Sequence, residues 1–108
     1  MPPENIRGRR GRGRSKRWVS HIPPKGHYRP MGAGDGIGEL VITIEELEAM
    51  RLVDYKGLTQ EEAAERMHVS RKTLWSDLQR ARKKVVDALI HGLALKIEGG
   101  NYTYYEMR

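Results

Sequence analysis

The chain has 108 residues, 20 Lys+Arg against 14 Asp+Glu, a net charge of +6 and no Cys. That length supports one small core, and the missing Cys excludes disulfide scaffolds, thiol catalysis and Cys-ligated zinc. The apolar runs are too short for a membrane span and the basic start lacks a secretory apolar stretch, so a cytoplasmic protein with a polyanion partner and no membrane partner is expected.

In chain order, residues 1–17 (MPPENIRGRRGRGRSKR) hold seven bases against Glu4. Their single aliphatic side chain, Ile6, cannot support a core, which predicts a disordered basic arm. Its Arg9, Arg10, Arg12 and Arg14 resemble the Arg-Gly-Arg core of AT-hook peptides and are candidates for phosphate or minor-groove contact. Arms of this composition also bind RNA. Residues 18–38 carry Pro23, Pro24, Pro30 and four Gly between Gly32 and Gly38. They read as an irregular linker, anchored through Trp18, Ile22 and Tyr28.

Regular structure is expected from Glu39. Leu40, Ile42 and Ile44 alternate with Val41 and Thr43, as in a short strand. Thr43 with Glu46 forms a T-x-x-E capping box for a first helix ending near Tyr55, closed by Gly57, with Leu47 and Met50 facing inward. Thr59 with Glu62 repeats the box for a short helix, Gln60 to about Met67. Ser70 caps a third helix running from Arg71 to Ile90, stopped at His91-Gly92. Leu74, Leu78, Ala81, Val85 and Leu89 mark its buried stripe. At the C-terminus, Gly99-Gly100 signals a two-residue hairpin turn. That register pairs Glu98 with Asn101, Ile97 with Tyr102 and Leu95 with Tyr104. The hairpin needs a partner surface, such as the helices, the strand near Leu40 or a second chain. The expected division is an arm (1–17), a linker (18–38), a helix-turn-helix domain (39–92), and a hairpin and tail (93–108).

Gln60 to Leu78 carries the function. A helix-turn-helix needs a small residue where its helices cross (Ala64), an apolar plug after the turn (Val69) and anchors on the second helix (Leu74, Leu78). Met67 completes the inner face. The turn position that usually holds Gly, because its backbone requires φ > 0, is His68. The outer face of the third helix carries Arg71, Lys72, Thr73, Trp75, Ser76, Gln79 and Arg80, with Lys83 a turn beyond. Arg and Lys read guanine edges and Gln reads adenine. Arg71, Lys72, Thr73 and Ser76 are therefore placed near base edges, Gln79 on the same face, and Ser70, Arg80 and Lys83 near phosphates. Trp75 either stacks at the interface or packs against the linker, packing being the preferred reading. Residues 35–65 hold nine acids against Arg51 and Lys56, whereas residues 66–84 hold seven bases against Asp77. The acidic stretch is expected on the surface away from DNA, either orienting the domain or simply solvated. His21, His27, Asp35 and Glu39 match no catalytic or metal-ligand spacing, so neither an enzyme nor a cofactor is expected.

The segment LTQEEAAERMHVSRKTLWSDLQRARKKV is similar to region four of bacterial sigma factors. RWVSHIPP, ITIEELEAMRLVDYKGLTQEEAAERMHVSR and ARKKVVDALIHGLALKIEGGNY together resemble a prokaryotic family of small proteins, domain of unknown function 134. The resemblance covers about Arg17 to Tyr102. It implies a mainly α, sigma-region-four-like fold with three helices and a long recognition helix, and transcription regulation through sequence-specific double-stranded DNA. Family members often carry Cys just after the RxV segment, where this chain has Ser20 and His21, so redox or metal work there is not expected. Some continue into a domain resembling iron–molybdenum cofactor-binding proteins, an activity not carried over to residues 1–108. The alternatives are an RNA-binding or architectural protein led by the arm, or an adaptor docking on RNA polymerase. A homodimer through the hairpin edge stays open.

Overall fold

The computed structural model describes residues 16–106, so the arm proper (residues 1–15, with Arg9, Arg10, Arg12 and Arg14) lies outside the described residues. The elements are β1 (Arg17–Val19), β2 (His27–Tyr28), β3 (Glu39–Ile42), α1 (Ile44–Met50) running into a π-helical segment (Arg51–Tyr55), α2 (Gln60–Met67), α3 (Arg71–His91), β4 (Ala94–Ile97) and β5 (Tyr102–Tyr104). Three helices thus lie beside two small sheets.

Local chemistry sets the helix boundaries. The Thr43 and Thr59 side chains each accept the backbone N–H three residues on, and Glu46 and Glu62 each accept the N–H of the capping Thr. Ser70 Oγ accepts the Thr73 N–H at 3.0 Å. Both capping boxes and the Ser cap therefore start their helices where the spacing predicts. The Lys56 N–H reaches back to Arg51 O at 2.8 Å, and Gly57 leaves the segment at φ 78°. Gly92, at φ 65°, stops α3.

The core lies where the helices meet. Ala49, Leu52, Ala63, Ala64, Met67, Leu74 and Leu78 are buried together, with Met50, Val53, Leu58 and Val69 packed against them. Ala64, Leu74 and Leu78 are buried, and Val69 is half-buried against them. Leu47 and Met50, expected to face fully inward, are half-buried, and the most buried positions of α1 include Glu45, Glu46 and Glu48. On α3 the stripe ends differently from expectation. Ala88 is buried and Val85 half-buried, while Leu89 is exposed. The chain turns back at Gly92 and the Leu93 N–H binds Ala88 O at 2.9 Å, which directs β4 to the Ala88 side of the helix.

The expected C-terminal hairpin does not form. β4 is the central strand of a three-stranded sheet, antiparallel to β2 and parallel to β3, with Leu95 opposite both Tyr28 and Leu40. Both hydrogen-bonding edges of β4 are thus occupied. β5 instead pairs in parallel with β1, Arg17 opposite Tyr102 and Val19 opposite Tyr104. Gly99 and Gly100 do take positive φ (73° and 109°), but they pass over the start of α1. There the Ile44 N–H donates to Gly99 O (3.1 Å) and the Asn101 N–H to the Glu45 carboxylate (3.1 Å). Of the three expected anchors of the 18–38 stretch, Trp18 stacks on His68 at its start, while Ile22 and Tyr28 stay exposed. Arg17, read as the end of the arm, is the first residue of β1, and β1 and β2 give the Gly/Pro-rich stretch 18–38 more regular pairing than its composition indicates.

Candidate nucleic-acid interface

α2 and α3 are joined by His68, Val69 and Ser70. His68 adopts φ 58°, ψ 43°, and it is the one non-glycine at positive φ among the described residues. The left-handed conformation lets the His68 N–H bond to Glu65 O (3.2 Å) and the Val69 N–H to Ala64 O (3.0 Å), closing α2 before the chain turns. Its ring stacks on Trp18 with centroids 3.8 Å apart and planes 9° apart, and Trp18 also meets Tyr105 at 5.1 Å. β1 and the residue following β5 therefore brace the turn. The sequence reading missed this brace; its only signal was an aromatic inside a short basic-apolar run.

The charges on α3 divide sharply. Asp77, 1% exposed, accepts from Arg17 Nε (3.0 Å) and from Arg80 (2.6 Å). Arg80 also reaches Glu46 (3.3 Å), as does Lys84 (2.7 Å), which in addition donates to Val41 O. Arg82 makes a two-pronged pair with Asp54, and Lys83 pairs with Asp87. Burial opposes ionisation of Glu46, but hydrogen bonds from Lys84 and the Thr43 N–H, the Lys84 charge and the Arg80 hydrogen bond outweigh it and hold its carboxyl below the usual range. The hydrogen bonds from Arg82 likewise lower Asp54. Glu48, 2% exposed, binds the Ser20 N–H and hydroxyl and Arg51, whose guanidinium pKa is raised by the Glu48 hydrogen bond. Most of the acidic stretch is exposed, but three of its glutamates, Glu45, Glu46 and Glu48, are buried brackets between elements.

This leaves Arg71 and Lys72 as the Arg and Lys side chains of α3 without an acidic partner among the described residues. Both are exposed in the first turn, and together with Gln60 and Trp75 they line one concavity. Lys72, Ser76, Gln79 and Lys83 fall on one stripe of the helix; Ser76 and Gln79 are half-buried. Ser70 and Thr73 are tied to each other, the Ser70 hydroxyl donating to Thr73 Oγ1 at 3.0 Å. Trp75 is 51% exposed and does not pack into the linker. Among the described residues no cluster of three His, Asp or Glu side chains could hold a metal ion, and His27 pairs with Glu39 at 2.8 Å. No helix is long and apolar enough to cross a membrane.

Among the described residues, three helices are braced by buried ion pairs, and two cations without an acidic partner stand at the start of the longest helix. The chain is a member of the family described as "Protein of unknown function DUF134", which it matches over residues 7–105. It is 48% identical over 91 residues to a UPF0251 protein of Thermoanaerobacter sp., covering 83% of this chain and 80% of that one. It is 53% identical over 88 residues to a UPF0251 protein of Methanosarcina acetivorans, covering 81% of this chain but 52% of that longer protein. No solved structure matches the chain significantly.

Proposed function

We propose that the chain is a sequence-specific double-stranded DNA-binding protein that regulates transcription. In this reading α2 and α3 form a helix-turn-helix within a mainly α, sigma-region-four-like fold. The single observation that carries it is the charge division on α3. Four cations further along the helix are matched to acids, while Arg71 and Lys72 stand exposed and, among the described residues, without an acidic partner, at the end that enters a major groove in such motifs. Arg71, Lys72 and Ser76 are the base-edge candidates, with Gln79 behind them. Thr73 and Ser70 act first as cap, leaving the helix start for a backbone phosphate. Arg80 and Lys83, matched to acids, contribute secondarily.

The test is selection of bound duplexes from a random pool at fixed ionic strength. One consensus is expected. Arg71→Ala should lower affinity for it by about tenfold or more, the scale of one base-reading contact, whereas Arg82→Ala should leave specificity unchanged. A pool without enrichment, or equal loss in both variants, refutes the reading. Deleting residues 1–15 should weaken binding to all duplexes alike and flatten the salt dependence. Loss of all binding with that deletion alone would favour an arm-led RNA-binding or architectural protein. An adaptor that docks on RNA polymerase without reading DNA is the other alternative, tested by polymerase pull-down in the presence of nuclease, and a homodimer is compatible with either reading.

A further inference from the structure

Trp75 is the one large aromatic of α3, and it lies 51% exposed one turn after Arg71. Together with Gln60, Arg71 and Lys72 it lines a shallow, open concavity of about 330 Å³ whose wall is more apolar than polar. Leaving an indole in water where a polar residue would solvate freely forgoes apolar burial. The spot is apolar, while the two nearest unpaired charges are cations. A partner that meets both must therefore be anionic overall and present a small apolar group between its polar edges. In the DNA major groove the group of that kind is the C5 methyl of thymine.

We infer that Trp75 is a specificity-determining residue whose indole, backed by Gln60 and Lys72, receives a thymine methyl group. This rests on the DNA-binding reading above and adds one base to it. The target must contain a T·A pair beside the position met by Arg71 or Lys72. That pair is sensed through its methyl group, not through a hydrogen bond.

The experiment replaces each thymine of the selected duplex, one at a time, by deoxyuridine, which removes only the methyl group. Wild-type protein should lose about fourfold in affinity at one position, the ratio expected from burying a single methyl-sized group. Trp75→Ala should bind the thymine and deoxyuridine duplexes equally. Trp75→Phe should keep part of the difference. Trp75 is exposed and outside the core, so these variants keep the fold, which a thermal melt verifies. A duplex that is enriched and bound, but that shows no loss beyond twofold at any deoxyuridine, refutes the Trp75 role and leaves the DNA-binding reading standing. An undiminished difference in Trp75→Ala refutes it equally. Absence of any enriched duplex overturns the underlying reading instead.

Discussion

Asp77→Ala tests the electrostatic bracing of α3. Asp77 is buried at 1% exposure and neutralises two guanidiniums. They differ in surroundings: the Arg17 side chain is 15% exposed and that of Arg80 55%. Losing the acid lets Arg80 rehydrate and keep Glu46. Arg17, the first residue of β1, is left as an enclosed charge without its acid. Breaking a buried pair this way costs about 3–5 kcal/mol; the lower end applies, because one of the two partners has an alternative. About 3 kcal/mol corresponds to a fall in Tm of roughly 15 °C for a domain of this size. Arg80→Ala, which leaves the buried Arg17–Asp77 pair intact, should cost at most about 1 kcal/mol. Replacing both buried partners, Arg17→Met with Asp77→Leu, should recover more than half of the Asp77→Ala loss, since no enclosed charge remains. Urea unfolding followed by far-UV circular dichroism measures all four proteins on one scale. Equal losses in Asp77→Ala and Arg80→Ala, or a double variant no better than Asp77→Ala, refute the reasoning.

Glu46 and Asp54 have carboxyls lowered from 4.5 and 3.8 in the folded state. Their stabilisation is therefore complete above those values and drains away as pH falls through the lowered folded-state values, so melts between about pH 2 and pH 6 should show an acid limb. Glu46→Gln should flatten that limb, and a curve unchanged by it refutes the assignment. The His68–Trp18 stack should give a coupling of about 1 kcal/mol in a double-mutant cycle of His68→Ala and Trp18→Ala; strictly additive losses would remove it. At Gly100, φ is 109° and an added Cβ would overlap the Glu45 carboxylate. Gly100→Ala should thus cost about 2 kcal/mol or more in denaturant melts, whereas Gly34→Ala, with open space around it, should be near neutral.

Features encoded within a few neighbouring residues were legible from the sequence. Thr43 with Glu46, Thr59 with Glu62, and Ser70 each cap where they stand, because the cap and its N–H are three residues apart. The positive φ of His68 was legible because His68 stands at the turn position that usually holds Gly. What escaped depends on distant partners. Gly99-Gly100 has hairpin chemistry, yet β2 and β3, far away in sequence, had already taken both edges of β4. The candidate site was legible as a list of exposed polar residues on α3, but not its subdivision. Arg80 and Lys83 look like Arg71 and Lys72 in sequence; only the approach of α1, and the turn spacing of Asp87, separates matched from unmatched cations. The burial of Glu45 and Glu48 was not legible, because a buried carboxylate and an exposed one have the same letter.

The parallel pairing of β1 with β5 joins residue 17 to residue 102. Such a contact is slow to close, since loop entropy must be overcome before any bond repays it. During synthesis the helices can settle as soon as residues 43–91 have emerged, whereas β1 must wait for almost the whole described chain. Trp18 then reaches its full setting, against both His68 and Tyr105, only in the last step. A chain ending before β5 would lack the strand that pairs with β1 and the Tyr105 contact of Trp18, which complete the brace on the turn between α2 and α3. Completeness of the chain and rigidity of that turn are thereby linked in one pair of strands.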